Sequence, residues 1–248
     1  MSLAVFAFAC VDAEQLPTGP GGGLPPGGSS GMTDAGANGG DNNTGLITGR
    51  VCRIVNLHTP TACAQNPDMS KIAVTTQGGT AQTVTALNGS FVLDVGPVAP
   101  TTRVVVQAGA QGFQTTLLPL RAEDSFTNIL VPIVDAQAWT DLLAGIGVIV
   151  AQETGSLAVY FSRNSVPLDG VLVNNVVARS GIFYDNGNGP LDWTITDPTG
   201  LGGTVLVFGV DRPAVSFTAR DRDKGDVRDV ANAPVGSDTV TFLTIEFD

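Results

Sequence analysis

Residues 85–113 read TALNGSFVLDVGPVAPTTRVVVQAGAQGF. The order is threonine, turn, glycine, strand, proline-bearing turn, strand. Asn88-Gly89 lies between two β-rich runs. A type I′ turn wants φ > 0 at both central positions, so the pair predicts a hairpin. Runs of the same texture surround this stretch: LITGRVCRIV, KIAVTTQ and AQTVTAL before its strands, FQTTLLPL after them. Short β-rich runs bounded by turn residues and recurring every ~8–12 residues point to a sandwich or barrel.

The composition agrees. Among 248 residues there are 31 Gly and 15 Pro, so turns are plentiful, and 43% hydrophobic residues suffice for proper cores. Charged residues are 14%, well under the ~25% of an average soluble protein. The net charge of −11 gives an acidic surface that repels a phosphate backbone, which argues against a nucleic-acid partner. Lys71 and Lys224 are the only lysines, so no basic patch offsets it. The longest interior apolar run, around residues 142–150, is too short to span ~30 Å of hydrocarbon.

Residues 135–151, DAQAWTDLLAGIGVIVA, break the β texture. Trp139, Leu142, Leu143 and Ile146 recur at helical spacing, Asp135 is a candidate N-cap, and Gly145 and Gly147 should end the helix near Ala144. Trp139 reads as the anchor of this helix on a sandwich. After Gly155 seven strand candidates follow: SLAVYFS, GVLVNNVVA, GIFYD, DWTITD, GTVLVFGV, AVSFTARD and TVTFLTIEF. AVSFTAR and TVTFLTIEF alternate in part, as half-buried antiparallel strands do. Asp169-Gly170, Asn188-Gly189 and Pro198-Thr199-Gly200 are turn candidates.

The halves are related. TDPTGLGGTVLVFGVDRPAVSFTARDRD, residues 196–223, repeats the order of the opening stretch about 110 residues later, a domain length rather than a solenoid period. The T-x-x-x-G-x-F-x-L pattern at Thr85, Gly89, Phe91 and Leu93, followed by VVVQAGAQGF, resembles the carboxypeptidase-regulatory-like domain. PLDGVLV at Pro167–Val173 and TDPTG at Thr196–Gly200 carry a similar resemblance in the second half. That half departs from the pattern in GTVLVFGV and in the long loop DRDKGDVRDVANAPVGSD. The resemblance implies transthyretin-like β-sandwiches, common in bacterial exported lipoproteins, and no peptidase activity, because the module itself is non-catalytic. The expected fold is all-β: two tandem antiparallel β-sandwich domains, 45–134 and 154–248, joined by a helical connector at 135–153.

The N-terminus supplies an address. Residues 1–9 of MSLAVFAFAC are an apolar stub, and residues 10–44 are rich in Gly, Pro, Ser, Asn and Asp. The latter stretch has too little apolar surface to offset ordering entropy and reads as a flexible tether. Gly27-Gly28-Ser29-Ser30-Gly31 matches a G-x-S-x-G nucleophile pattern only literally, without the strand–turn–helix context that the chemistry needs. AFAC resembles the lipobox of bacterial lipoproteins, with Ala7 and Ala9 as the small residues before the cut. The missing basic n-region reads as a truncated leader. The resemblance implies lipidation at Cys10, and hence a bacterial cell-envelope protein on the outer membrane, facing the periplasm or the surface. The membrane is met through the lipid alone. In an oxidising compartment, Cys52 and Cys63 in VCRIVNLHTPTAC read as a disulfide, the alternative being two buried thiols.

Residues for chemistry are few. His58 is the one histidine, so a serine triad or a Cys–His pair would have to use it; with no accompanying motif it reads as a loop residue. No H-E-x-x-H, P-loop or dinucleotide fingerprint is present. One His with three Cys cannot close an ordinary zinc site without carboxylates. Asp221, Asp223 and Asp226 alternate around Gly225 and could wrap Ca²⁺, but Arg222, Lys224 and Arg228 interleave them and favour a solvated loop. The run from Tyr184 to Gly189, with Asp192 beyond, reads as turn chemistry first. No cofactor is expected beyond that calcium candidate. Trp193, Tyr184 and Tyr160 could stack sugars, although in alternating strands such residues more often belong to a core. The expected function is a non-catalytic structural or interaction module meeting an envelope protein or glycan. A surface carbohydrate-binding module is the alternative, and a carboxylate-based hydrolase is a remote third.

Overall fold

The computed structural model describes residues 45–65, 67–99, 102–121, 126–187, 189 and 192–248. The expectations for the leader, the tether, Cys10 and Asn188 lie outside these residues. In the first half the strands are β1 (Leu46–Ile54), β2 (Ala73–Thr76), β3 (Gln82–Val84), β4 (Ser90–Asp94), β5 (Arg103–Gly109), β6 (Phe113–Arg121) and β7 (Ile129–Asp135). The helix α1 (Ala136–Gly145) follows. The second half holds β8 (Gly155–Arg163), β9 (Val166–Pro167), β10 (Val171–Asn174), β11 (Gly181–Asp185) and β12 (Trp193–Thr194). It ends with β13 (Thr204–Val210), β14 (Ala214–Asp221), β15 (Val227–Pro234) and β16 (Thr239–Phe247). Among the described residues the fold is all-β with one short helix, as expected.

Each half is layered. In the first, Ile47, Val51, Phe91, Leu93, Val131 and Ile133 from β1, β4 and β7 pack against Val74, Val106, Ala108 and Leu120 from β2, β5 and β6. In the second, β10, β14 and β15 form a three-stranded sheet. Its Val171, Val215 and Phe217 meet Leu157, Phe161, Val205 and Phe247 of the main sheet. These two-layer cores are what alternating strands with one apolar face must build.

The halves also share structure that a tandem arrangement does not contain. β16 pairs in parallel with β8 along its length and with β6 over Thr239–Thr241, so one sheet runs through both halves. β1 and β7 are parallel as well, where only antiparallel pairing was expected. A third core lies at this junction. Cys52, Ile54, Leu57, Trp139 and Leu142 from the first half and the helix pack with Leu206, Phe208, Val240 and Phe242 of the second. Trp139 packs against Phe208 with ring centroids 5.6 Å apart and the planes tilted by 52°. Its anchoring role therefore bridges both halves. β8, paired on both edges and covered on both faces, is buried over eight of its nine residues, as its near-continuous apolar sequence requires.

Local chemistry set the element ends. Asp135 caps α1 by accepting hydrogen bonds from the N–H groups of Gln137 and Ala138. The Asn88-Gly89 turn differs from the type I′ expectation, because only Gly89 has positive φ, at +82°. Gly89 N–H donates to the Ala86 carbonyl, closing an ordinary turn ended by a left-handed glycine. Nor do β3 and β4 form the simple hairpin that was expected: β3 pairs with β2 and β4 with β1. Thr85, between them, is tied to the segment that leads into β2: its hydroxyl donates to the Met69 carbonyl and accepts the Ile72 N–H.

Candidate functional site

The Cys52–Cys63 disulfide is present, with Cα atoms 5.4 Å apart. It closes a loop at the end of β1. Within the loop, Asn56 Oδ1 accepts the His58 N–H at 3.0 Å, and the Asn56 carbonyl accepts the Thr59 N–H. These bonds turn the loop so that His58 points into the second half. There it is 5% exposed. Its Nδ1 lies 3.9 Å from Asp185 Oδ1, and its ring centroid is 4.3 Å from that of Trp193.

The niche that receives it is built at the entry to β13. Asp185, at the end of β11, is fully buried. Its Oδ1 accepts Gly202 N–H at 3.0 Å and its Oδ2 accepts Thr204 N–H at 2.6 Å. The Thr204 hydroxyl reaches the His58 carbonyl at 3.5 Å. That carbonyl comes so near Gly202 that a Cβ there would meet its oxygen at 2.4 Å. Burial pushes the Asp185 carboxyl above its ordinary value, and the N–H groups of Thr204 and Gly202, the His58 charge and the Gly200 N–H pull the other way.

A second polar cluster caps the far end of β8 and β16. Arg163 reaches Asp221 at 2.9 Å and Asp226 at 2.5 Å. Arg228 pairs with Asp248. The guanidinium carbons of Arg163 and Arg228 lie 5.9 and 5.7 Å from the centroid of the buried Phe247 ring. Burial alone would raise the Asp221 carboxyl. The N–H groups of Asp223 and Lys224 and the Arg163 guanidinium outweigh it and hold the group below its ordinary value. Glu246, bonded by the Ser162 hydroxyl and the Ser165 N–H, is also held low. Asp221, Asp223 and Asp226 thus share one loop, but an arginine occupies the space between two of the three. No group of three metal-ligating side chains occurs among the described residues.

The aromatic candidates do not form a platform. Tyr184 is buried, with its hydroxyl bonded to the backbone of Val173, and Tyr160 is buried too. Trp193 is half-buried against His58. A groove of about 750 Å³ opens where β6 and β16 diverge beneath β15. It is lined by Leu118, Leu120, Val230, Leu243, Ile245 and several charged groups. No described helix is long and apolar enough to cross a membrane.

His58 and Asp185 were not paired by sequence reasoning. The signal lay in Gly200-x-Gly202-Gly203 just before a strand, since glycines there mark close approach of another backbone.

No family model matches the chain, and no curated protein does. Among solved structures, a cohesin–X-dockerin complex from Acetivibrio cellulolyticus is 13% identical with a TM-score of 0.27, covering 44% of this chain and 76% of that one. A streptococcal ancillary pilin is 9% identical with a TM-score of 0.21, covering 83% and 63%. The major pilin T-13 of Streptococcus pyogenes is 8% identical with a TM-score of 0.22, covering 83% and 100%. At these values the likenesses assign no function to this chain.

Proposed function

We propose that the chain is a non-catalytic, lipid-anchored module of the bacterial cell envelope, whose β-sandwich layers serve a structural or protein-interaction role. The observation that carries this reading is the position of the one histidine. His58 is buried between Asp185 and Trp193, so the sole imidazole available for general-base work is committed to holding a loop in place. The disulfide supports an oxidising, exported setting. Kinship with carboxypeptidase-regulatory-like domains and lipidation of Cys10 belong to this reading and rest on sequence resemblance.

The groove between β6, β15 and β16 is where a protein partner would meet the module. The test uses the full chain and a Thr244→Lys variant, since Thr244 is an exposed residue of that groove. Both are compared on a glycan array and in pull-downs from envelope extracts. The reading expects a specific protein captured by the parent and lost in the variant. Glycan binding without protein capture would replace it with a carbohydrate-binding role, and turnover of a polysaccharide would overturn it.

A further inference from the structure

We propose that the Cys52–Cys63 disulfide is a redox-responsive clasp, which determines whether the loop carrying His58 stays docked on the second half of the sheet. The two sulfurs sit in unlike surroundings. Cys52 is 2% exposed within the shared core, whereas Cys63 is half-buried at the loop's exit. The Arg50 guanidinium lies 3.5 Å from the Cys63 sulfur. The partly exposed Cys63 sulfur is the one open to an attacking thiolate, and the positive charge beside it stabilises the Cys63 thiolate when that sulfur departs or attacks in turn.

What the clasp holds is also particular. Beyond Ile54, the last residue of β1, the loop leaves the sheet, and it returns through the Ile54–Cys63 bridge and the Ala64 N–H bond to the Arg53 carbonyl. Between these points it meets the second half through Leu57, which lies in the shared core, and through His58, with the ring against Trp193 and Asp185 and the carbonyl against Gly202 and Thr204. The disulfide shortens the span over which that grip must be kept. Opening it restores chain freedom to the loop while leaving the ladders of β1 with β4 and β7 in place.

The chemistry requires a dithiol reductant. Its thiolate attacks the Cys63 sulfur, the S–S bond breaks, and Cys52 leaves as a thiolate that takes up a proton. The reductant's second thiolate then displaces Cys63, whose departing thiolate Arg50 stabilises before protonation. Two protein thiols and one oxidised reductant result: two electrons and two protons have passed to the protein. Reclosure by an oxidised dithiol retraces the path, with Cys63 as the attacking thiolate. With the clasp open, His58 leaves its niche and water reaches Asp185 and Trp193.

The test uses the full chain carrying Cys10→Ser, so that Cys52 and Cys63 supply the only thiols. The folded protein is treated with dithiothreitol, thiols are counted by alkylation and mass, and amide hydrogen exchange is followed. The proposal expects two thiols in the folded state. Protection of the Gly202 and Thr204 amides should fall by about tenfold or more, while Val74 and Val106 keep theirs. A disulfide that opens only on global unfolding would overturn the proposal. So would a reduced protein with unchanged protection at Gly202 and Thr204. His58→Ala, with the disulfide closed, should loosen the same two amides without releasing thiols; unchanged protection there would remove His58 from the clasp.

Discussion

His58 Nδ1 lies 3.9 Å from Asp185 Oδ1 although the two residues come from opposite halves of the chain, and both side chains are buried. The pair fastens a disulfide loop of the first half to the start of β13 in the second. Asp185 organises the contact because each of its oxygens takes a different backbone N–H. A buried carboxylate is costly unless its lone pairs are used, and here they are used on the strand that receives the loop.

Asp185→Asn follows from that geometry. The amide keeps one acceptor and turns an NH₂ toward the N–H of Gly202 or Thr204. The loss of one bond and the burial of opposed donors should destabilise the fold by about 2–3 kcal/mol. Urea unfolding of the two proteins measures it; a change near zero would show that the niche relaxes around the amide.

Gly202→Ala tests the close approach itself. A methyl at this position would meet the His58 carbonyl oxygen at 2.4 Å. Because backbone rather than a flexible side chain stands in the way, the loop must shift, at a cost of about 1–3 kcal/mol. Calorimetry should show a lower melting temperature, with faster amide exchange concentrated at residues 57–62. An unchanged melting temperature would mean that the loop docks elsewhere.

The acid limb of the stability curve should carry two contributions of opposite sign. Asp221 is held below its ordinary value. Its contribution is complete above about pH 4, the unfolded value, and is lost as pH falls through the lower folded value. Asp185 is raised, so its contribution is complete below the unfolded value and is lost as pH rises through the folded one. Unfolding titrations of the parent and Asp221→Asn should therefore differ most near neutral pH and converge as acid is added. An offset that stays constant throughout the acid range would contradict the Asp221–Arg163 account.

Trp139 joins the halves through the core it shares with Phe208. Trp139→Ala should cost about 3–5 kcal/mol through a cavity at that junction. The parent should unfold in one transition, whether followed by tryptophan fluorescence or by far-ultraviolet dichroism. Two separated transitions in the parent would show that each half holds its own stability and that the shared core does little.

Much of this was legible in the chain. Asp135 followed by Trp139 and Leu142 announces a capped helix, and VCRIVNLHTPTAC announces a loop with a disulfide. Strand existence is a local matter of β-rich runs and turns, so nearly every run became a strand. Partner choice is not local. TVTFLTIEF shows where β16 lies but not that it will sit between β6 and β8. Nothing in the Asn88-Gly89 turn reveals that the flanking strands β3 and β4 pair with different neighbours. His58 beside Thr59-Pro60 reads as loop because its niche is assembled from residues more than a hundred positions away.

The functional account stands most directly on the anchor. The gene with its native upstream region, expressed in a bacterial host fed a clickable fatty-acid analogue, should yield a labelled, membrane-fractionating protein. Cys10→Ser should abolish the label and release the protein from the membrane fraction. A parent that takes up no label, or a Cys10→Ser variant that keeps it, would contradict the account.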